Sequence, residues 1–253
     1  MSDFPSPPPP PPDLTAPPGA GFTGTNWGRV PFRRVRGLAT AILVLLGVSI
    51  IGAAVDLALL PSRVDVAREF LRTGDEDTFN DEYLGTTLGS TLLGLATIAT
   101  VVISIIWLYR VVANHRLLGR RTTWSPGFAI GGWFLPPALY VIPLLILRES
   151  WKASNPGVPP GDEGWRETPE SPLPYVWFLL YSLVPIGLGI AGASIVFQSF
   201  GGDAEDIADS ITDTQGIAVA QGIVSILGAI AWALLVRAFT TRHTELTGEV
   251  KAH

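Results

Sequence analysis

The stretch that decides the fold is GFAIGGWFLPPALYVIPLLIL, residues 127–147. It is as long and as apolar as a membrane-crossing helix, which needs roughly 20 such residues. It also carries proline at positions 136, 137 and 143, and each proline removes a backbone donor and clashes with the preceding turn. Because lipid offers no partner for the freed carbonyls, the stretch is a broken span inside a bundle, a re-entrant segment or an interfacial one.

Four further runs are apolar without such an interruption. They cover approximately residues 38–60, 84–109, 175–197 and 215–236. Each is long enough to cross about 30 Å of hydrocarbon, and Pro61 marks the predicted end of the first. Only 15% of all residues are charged, against about 25% in a soluble domain. The sequence therefore predicts an all-α, multi-pass transmembrane bundle within residues 37–240.

The distribution of lysine and arginine decides whether residues 127–147 cross the membrane. Basic residues near the ends of spans favour the cytoplasmic side. If the stretch crosses and the N-terminus is inside, 8 of the 17 basic residues lie inside and 9 outside. If it enters and leaves on the same side, 14 lie inside, and the 3 outside are all in the acidic loop 61–83. The charges therefore predict four spans, cytoplasmic N- and C-termini, and a broken segment that reaches in from the cytoplasmic face.

Residues 1–36 form the predicted N-terminal tail. Positions 7–12 are all proline, and the flanking residues are rich in Pro, Gly, Ser and Thr. Such a segment favours the polyproline II conformation and buries too little apolar surface to fold. It is either a solvated, disordered tail or a ligand for an aromatic-lined groove that binds proline. Residues 241–253 are predicted to be a short cytoplasmic tail.

The densest cluster of polar and aromatic side chains lies between residues 110 and 151, around the broken segment. The candidate site residues are Arg110, Asn114, Trp133, Pro136, Pro143, Arg148, Glu149 and Trp151. Arg110 and Asn114 are four residues apart and therefore share one helix face. The cluster is either a polar pocket at the inner interface or an anchor whose long side chains snorkel to the membrane surface.

One charge, Asp56, lies inside a predicted span. An ionisable residue there is a functional candidate, but Asp56 is close to the predicted outer interface. It is therefore either an interfacial residue or part of an ion or proton path. Small residues four apart, such as Ala218 and Gly222, predict close packing between spans, and self-association as a homo-oligomer is the alternative.

Several kinds of chemistry find no support in the sequence. There is no cysteine, and His115, His243 and His253 lack the spacing of metal ligands on a helix. No span carries paired carboxylates, and no serine has a visible base partner. We therefore expect no metal, no cofactor and no enzymatic activity. The expected partners are the lipid bilayer and, through the tail, a protein; a nucleic acid is not expected.

Motifs between residues 110 and 154 follow a specific order. They read Arg110…Asn114…Leu118-Gly119, then Ser125-Pro126-Gly127…Trp133-Phe134…Pro136, then Pro143…Arg148-Glu149…Trp151-Lys152-Ala153-Ser154. This order resembles a bacterial membrane protein family, domain of unknown function 4328, and the resemblance extends over roughly residues 38–240. It implies a multi-pass protein of a bacterial plasma membrane, of the actinobacterial type, and no activity.

Two functions remain open on the sequence alone. The first is a non-enzymatic scaffold or partner-binding protein, which agrees with the tail and the lack of catalytic groups. The second is a small transporter or channel component that uses the broken segment 127–147, because broken helices often mark transport sites. Four spans and the absence of paired buried charges favour the first.

Overall fold

The computed structural model describes residues 32–135, 141–198 and 203–249, with the backbone alone for 82–92 and 194–198. Every regular element in these ranges is helical. The α-helices are α1 (Arg36–Thr73), α2 (Glu76–Leu117), α3 (Phe128–Gly131), α4 (Val141–Ala153), α5 (Leu173–Phe178), α6 (Val184–Gln198), α7 (Ala204–Asp213) and α8 (Gln215–Thr247). A 3₁₀ turn, Glu163–Glu167, precedes α5, and a π-turn, Leu179–Leu183, joins α5 to α6. The predicted tail lies outside the described residues as far as position 31.

The prediction of four spans is confirmed. Four helical stretches are long and apolar enough to cross a membrane: Arg36–Thr73, Leu93–Leu117, Leu173–Ala193 and Gln215–Thr247. Their outward faces carry large apolar side chains, and Ile51, Ile98 and Ile190 are 68%, 62% and 72% exposed. A helix that is apolar on every side needs an apolar environment around it. A bilayer supplies that environment.

The helix of the first span does not end at the predicted position, Pro61, and most of the predicted loop 61–83 is helical. Pro61 lies inside α1, which continues to Thr73, and α2 begins at Glu76. A proline inside a helix costs about 3 kcal/mol, but α1 packs against α2, α7 and α8 along its length, and this packing offsets the cost. The hairpin turns at Gly74, whose φ of 73° favours glycine.

Asp56 forms an ion pair on its own helix. The Nη2 of Arg63 donates to its Oδ1 at 2.5 Å, across the turn that contains Pro61. A paired carboxylate near the interface is far less costly than an isolated charge in hydrocarbon. This pairing favours the interfacial interpretation of Asp56.

A short amphipathic helix, α7, lies in the predicted acidic loop 198–214. Asp203 begins it by accepting hydrogen bonds from the backbone N–H groups of residues 205 and 206. Its apolar face packs Ala208 against Ala67 and Phe79, and Phe79 stacks on Phe70 at a centroid distance of 4.7 Å. This small cluster closes one end of the bundle.

The main core lies towards the other end, where α1 begins and α2 and α8 finish. Trp107 is its central side chain and meets Trp232 and Phe239 edge to face, at centroid distances of 6.2 and 5.3 Å. Near the ends of α2 and α8, Asn114, His115, His243 and Thr244 are buried. The last helix continues to Thr247, so the tail predicted from residue 241 is helical there.

The two ends of the broken segment 127–147 lie close together. Pro136 and Pro137 lie outside the described residues, between α3 and α4. The 13 residues of α4 span about 20 Å at 1.5 Å per residue, too short for about 30 Å of hydrocarbon. Glu149 accepts hydrogen bonds from the N–H groups of Thr123 at 2.7 Å and Trp124 at 3.2 Å. Because these contacts join the two ends of the segment, it enters and leaves the bundle on the same side.

This arrangement predicts which positions share a side of the membrane. The chain lacks cysteine, so single cysteines can replace the exposed residues Arg121, Glu167 and Asp209. We expect an impermeant thiol reagent to label positions 121 and 167 from one side of a sealed vesicle and position 209 from the other. Labelling of 121 and 167 from opposite sides would mean that residues 127–147 cross the membrane.

Candidate functional site

Four polar side chains are buried together where α2 and α8 finish. We call Asn114, His115, Ser154 and His243 the buried polar network, and each is 0% exposed. The first two end α2, Ser154 follows α4, and His243 lies on α8. Buried polar groups need hydrogen-bond partners, so the contacts among these four show what the network does.

Asn114 pairs with the backbone of Arg33 as another peptide group would. Its Oδ1 accepts from the Arg33 N–H at 2.8 Å, and its Nδ2 donates to the Arg33 carbonyl at 2.9 Å. The two contacts fix which end of the amide is oxygen and which is nitrogen. The Asn114 amide therefore holds the segment before α1 against the end of α2.

That amide fixes the direction of the next hydrogen bonds in the network. The second Nδ2 proton of Asn114 points to His243 Nε2 at 3.1 Å, so this nitrogen accepts and the His243 ring carries its proton on Nδ1. Nδ1 donates to Ser154 Oγ at 3.1 Å, and the same hydroxyl is hydrogen-bonded to His115 Nε2 at 2.9 Å. The His243 imidazole, with one nitrogen that donates and one that accepts, is therefore neutral.

The chain of hydrogen bonds ends at His115. Its Nδ1 is buried and has no partner among the described residues. The two imidazole rings meet edge to face, with centroids 5.3 Å apart. No third His, Cys, Asp or Glu joins them in a metal-binding group in the part of the chain that the structure describes.

A serine hydroxyl that donates to a histidine resembles a nucleophile with its base. A reacting group must also meet its substrate, and Ser154 and both histidines are 0% exposed. The network therefore has a structural role. Its hydrogen bonds connect the segment before α1 with the ends of α2, α4 and α8.

Arg120 reinforces the same region from the loop after α2. Its guanidinium is buried and donates to the carbonyls of Ala153, Asn155 and Val158, the last two at 3.0 and 2.6 Å. Cations near the end of a helix satisfy its last carbonyls and its dipole. Burial lowers the pKa of Arg120 to about 10, so it stays charged at neutral pH and fixes the end of α4.

Most of the sequence-predicted site residues surround this network. Arg110 donates to the Arg34 carbonyl at 2.8 Å. Trp151 packs edge to face on Phe239 and lies beneath the Arg242 guanidinium, 4.9 Å from the ring centroid. Pro143 is buried within α4. Glu149 closes the broken segment, as described above, and Pro136 lies outside the described residues.

Arg148 and Trp133 lie apart from the network. The Arg148 guanidinium pairs with Glu170 at 2.5 Å, and Lys152 approaches the same carboxylate at 3.4 Å. The hydrogen bond from Arg148, followed by the one from Tyr175, lowers the pKa of Glu170 to about 2. Trp133 lies against Trp177, deeper between the spans, with ring centroids 6.0 Å apart.

Four residues of the site were not predicted from the sequence: His115, Ser154, His243 and Arg120. The two histidines are far apart in the chain, and Ser154 lies beyond the helix that positions it. Hydropathy and local spacing carry no signal for contacts between the ends of different helices. One sequence signal was available: these residues follow apolar runs, which indicates that they lie at a similar depth in the bundle.

Four apolar spans, with the buried polar network at one end, define a multi-pass α-helical membrane protein. The chain belongs to the family described as Domain of unknown function (DUF4328), whose family model matches residues 75–241. The match begins after α1 and ends before His243, and it contains Asn114, His115 and Ser154. No curated protein and no solved structure matches the chain.

The network predicts an asymmetry between two buried serines. Ser154→Ala removes the hydrogen-bond partner of both His115 Nε2 and His243 Nδ1, so we expect the free energy of unfolding to fall by about 1–3 kcal/mol. Ser182 is equally buried but its Oγ has no partner among the described residues, so Ser182→Ala is the matched control and should change stability little. Equilibrium unfolding in mixed detergent micelles measures both. Equal losses in the two variants would show that the network does not stabilise the fold.

Proposed function

We propose that this protein is a non-enzymatic membrane scaffold that presents its proline-rich tail to a protein partner from a fixed point on the bundle. The observation that carries the proposal is the way the last residues before α1 are held. A tail on a loose connection would begin anywhere around the helix end. Here the connection is fastened at successive residues.

Side chains from α2 and from the end of α8 hold residues 33–36 along the backbone. Asn114 binds both polar groups of Arg33, and Arg110 binds the Arg34 carbonyl. The carboxylate of Glu249 accepts from the N–H groups of Val35 at 3.1 Å and residue 36 at 3.2 Å. The Arg33 guanidinium also lies over the Tyr109 ring, 5.1 Å from its centroid.

The tail supplies the chemistry that a partner would recognise. Six consecutive prolines at 7–12 favour a preformed polyproline II helix, which loses little conformational entropy when it docks in an aromatic-lined groove. Ser154, which lies beside two histidines, is buried and therefore closed to substrates, which supports a role without catalysis.

The proposed location is the plasma membrane of a bacterium, with both termini in the cytoplasm. The basic residues support this orientation, because 14 of 17 lie on the side of the N-terminus when residues 127–147 return to the side from which they enter. The resemblance to a bacterial family supports the compartment. The cysteine variants test it: positions 121 and 167 should react only after intact cells are permeabilised, whereas position 209 should react before.

Transport by a small carrier or channel component is the second candidate. It is favoured by one observation: Trp133 from the broken segment lines a cavity between the spans. Liposomes that contain the purified protein distinguish the two functions. Protein-dependent movement of an ion or solute would favour transport over the scaffold.

The scaffold proposal predicts that the proline run determines partner capture. We expect a photo-cross-linker placed at Asp13 in the full-length protein, in its own membranes, to trap a protein with an aromatic-lined groove. Replacing the prolines at 7–12 by alanine should abolish that product, because alanine lacks the polyproline II preference. Alanine at Pro17 and Pro18, outside the run, is the matched control and should preserve capture. A cross-linked product that is indifferent to the proline run would contradict the proposal.

A further inference from the structure

A cavity of about 300 Å³ lies between the spans. Each of the four spans contributes to its wall, and the tip of the broken segment adds Trp133. Representative lining residues are Ser49 from α1, Thr97 from α2, Tyr181 from the π-turn and Gln221 from α8. The volume lies at the lower end of the range for small-molecule sites, roughly 300–1,000 Å³. The cavity can therefore hold a ligand about as large as one substituted ring.

Aromatic rings form much of the cavity wall. Trp177 stacks on Tyr181 with ring centroids 5.2 Å apart and an interplanar angle of 18°. It also lies 4.8 Å from the ring of Trp232. No charged side chain lines the cavity among the residues that the structure describes. Flat, uncharged ligands are the ones that such a wall accommodates best, because aromatic rings favour offset stacking.

Two residues that line the cavity each carry a polar atom that has no partner within the described parts of the chain. These atoms are the indole Nε1 of Trp133 and the Oγ of Ser49, and both are buried. The hydroxyls of Thr97 and Thr100, by contrast, donate to carbonyls of their own helix at 3.0 and 2.8 Å. An indole N–H only donates, so its missing partner is an acceptor. A buried donor that stays unpaired destabilises the protein.

The backbone beside the cavity is also irregular. Pro185 lacks the N–H that would continue the helix, and its ring would collide with the carbonyl four residues earlier. The helix widens there into the π-turn, whose Leu180 and Tyr181 line the cavity. A β-carbon at Gly228 would lie 3.4 Å from the Leu180 carbonyl oxygen, so α8 approaches this turn closely. Single π-turns within α-helices are frequent at functional sites.

We propose that this cavity binds an uncharged lipophilic molecule through a carbonyl oxygen, with its apolar body against the ring of Trp177. The Trp133 N–H donates to that oxygen, and Ser49 supplies a second polar contact. A membrane quinone and the ester carbonyl of a phospholipid share this chemistry. The site is independent of the scaffold role, because the cavity lies between the spans and the scaffold role rests on the contacts of residues 33–36.

The proposal is tested by equilibrium binding of decylubiquinone to the purified full-length protein, in detergent and in phosphatidylcholine nanodiscs. Trp133→Phe keeps the ring and removes the donor, so we expect about tenfold weaker binding, the value of one good hydrogen bond. Trp124→Phe removes an indole N–H outside the cavity and should leave the affinity unchanged. Ala229→Leu fills the cavity and should abolish binding while the unfolding midpoint stays close to that of the unmodified protein.

Measurements in detergent and in nanodiscs distinguish the two possible sources of the carbonyl, the quinone and the phospholipid ester. Binding of the quinone that depends on Trp133 in both detergent and nanodiscs supports the quinone. Loss of quinone binding in nanodiscs, together with less co-purified phospholipid in the Trp133→Phe variant, supports the phospholipid ester. The proposal is overturned if neither molecule binds, or if binding is indifferent to Trp133→Phe and Ala229→Leu.

Discussion

Asn114 makes both hydrogen bonds of a backbone peptide group with Arg33, and its remaining amide proton faces His243. That single side chain connects the beginning of α1, the end of α2 and the end of α8. Through Ser154 the connection extends to the end of α4. A buried polar group that lacks a hydrogen-bond partner is costly. The hydrogen bonds among these segments therefore keep each of them in place.

The path of the broken segment follows from this convergence. The chain leaves α2 beside His115 and must return beside it at Ser154, because the two side chains share a hydrogen bond. Everything between them therefore begins and ends at one level of the bundle. Glu149 and Arg120 close the same loop by binding backbone groups that no helix satisfies. In lipid such groups would have no partner.

The buried polar network and the cavity lie in different parts of the bundle. The fastened end carries the segment that leads to the tail, and it is packed shut around Trp107 and the histidines. The cavity lies deeper, between spans that approach each other through aromatic rings and small residues. Gly52 and Gly222 meet the side chains of Leu93 and Leu57, which shows the close packing that small residues allow.

The sequence predicted the spans better than their ends. Apolar runs identify residues that lipid can surround, and the arginine count predicted that residues 127–147 return to one side. Neither the apolar runs nor the arginine count indicates a helix outside the bilayer. The continuation of α1 through Pro61 was therefore not predicted. Packing against α7 stabilises that continuation, and such contacts leave no local pattern. The partnership of His115 with His243 was missed for the same reason, because two helices must be folded before their ends can meet.

The central claim is that the buried polar network, together with Arg110 and Glu249, holds residues 33–36 against the bundle. Hydrogen–deuterium exchange of the backbone amides at positions 33, 35 and 36 tests it most directly, in the full-length protein and in Asn114→Ala. The account predicts slow exchange in the unmodified protein, and exchange at least tenfold faster at position 33 in the variant, equivalent to about 1.4 kcal/mol. Free exchange at these amides in the unmodified protein would contradict the account.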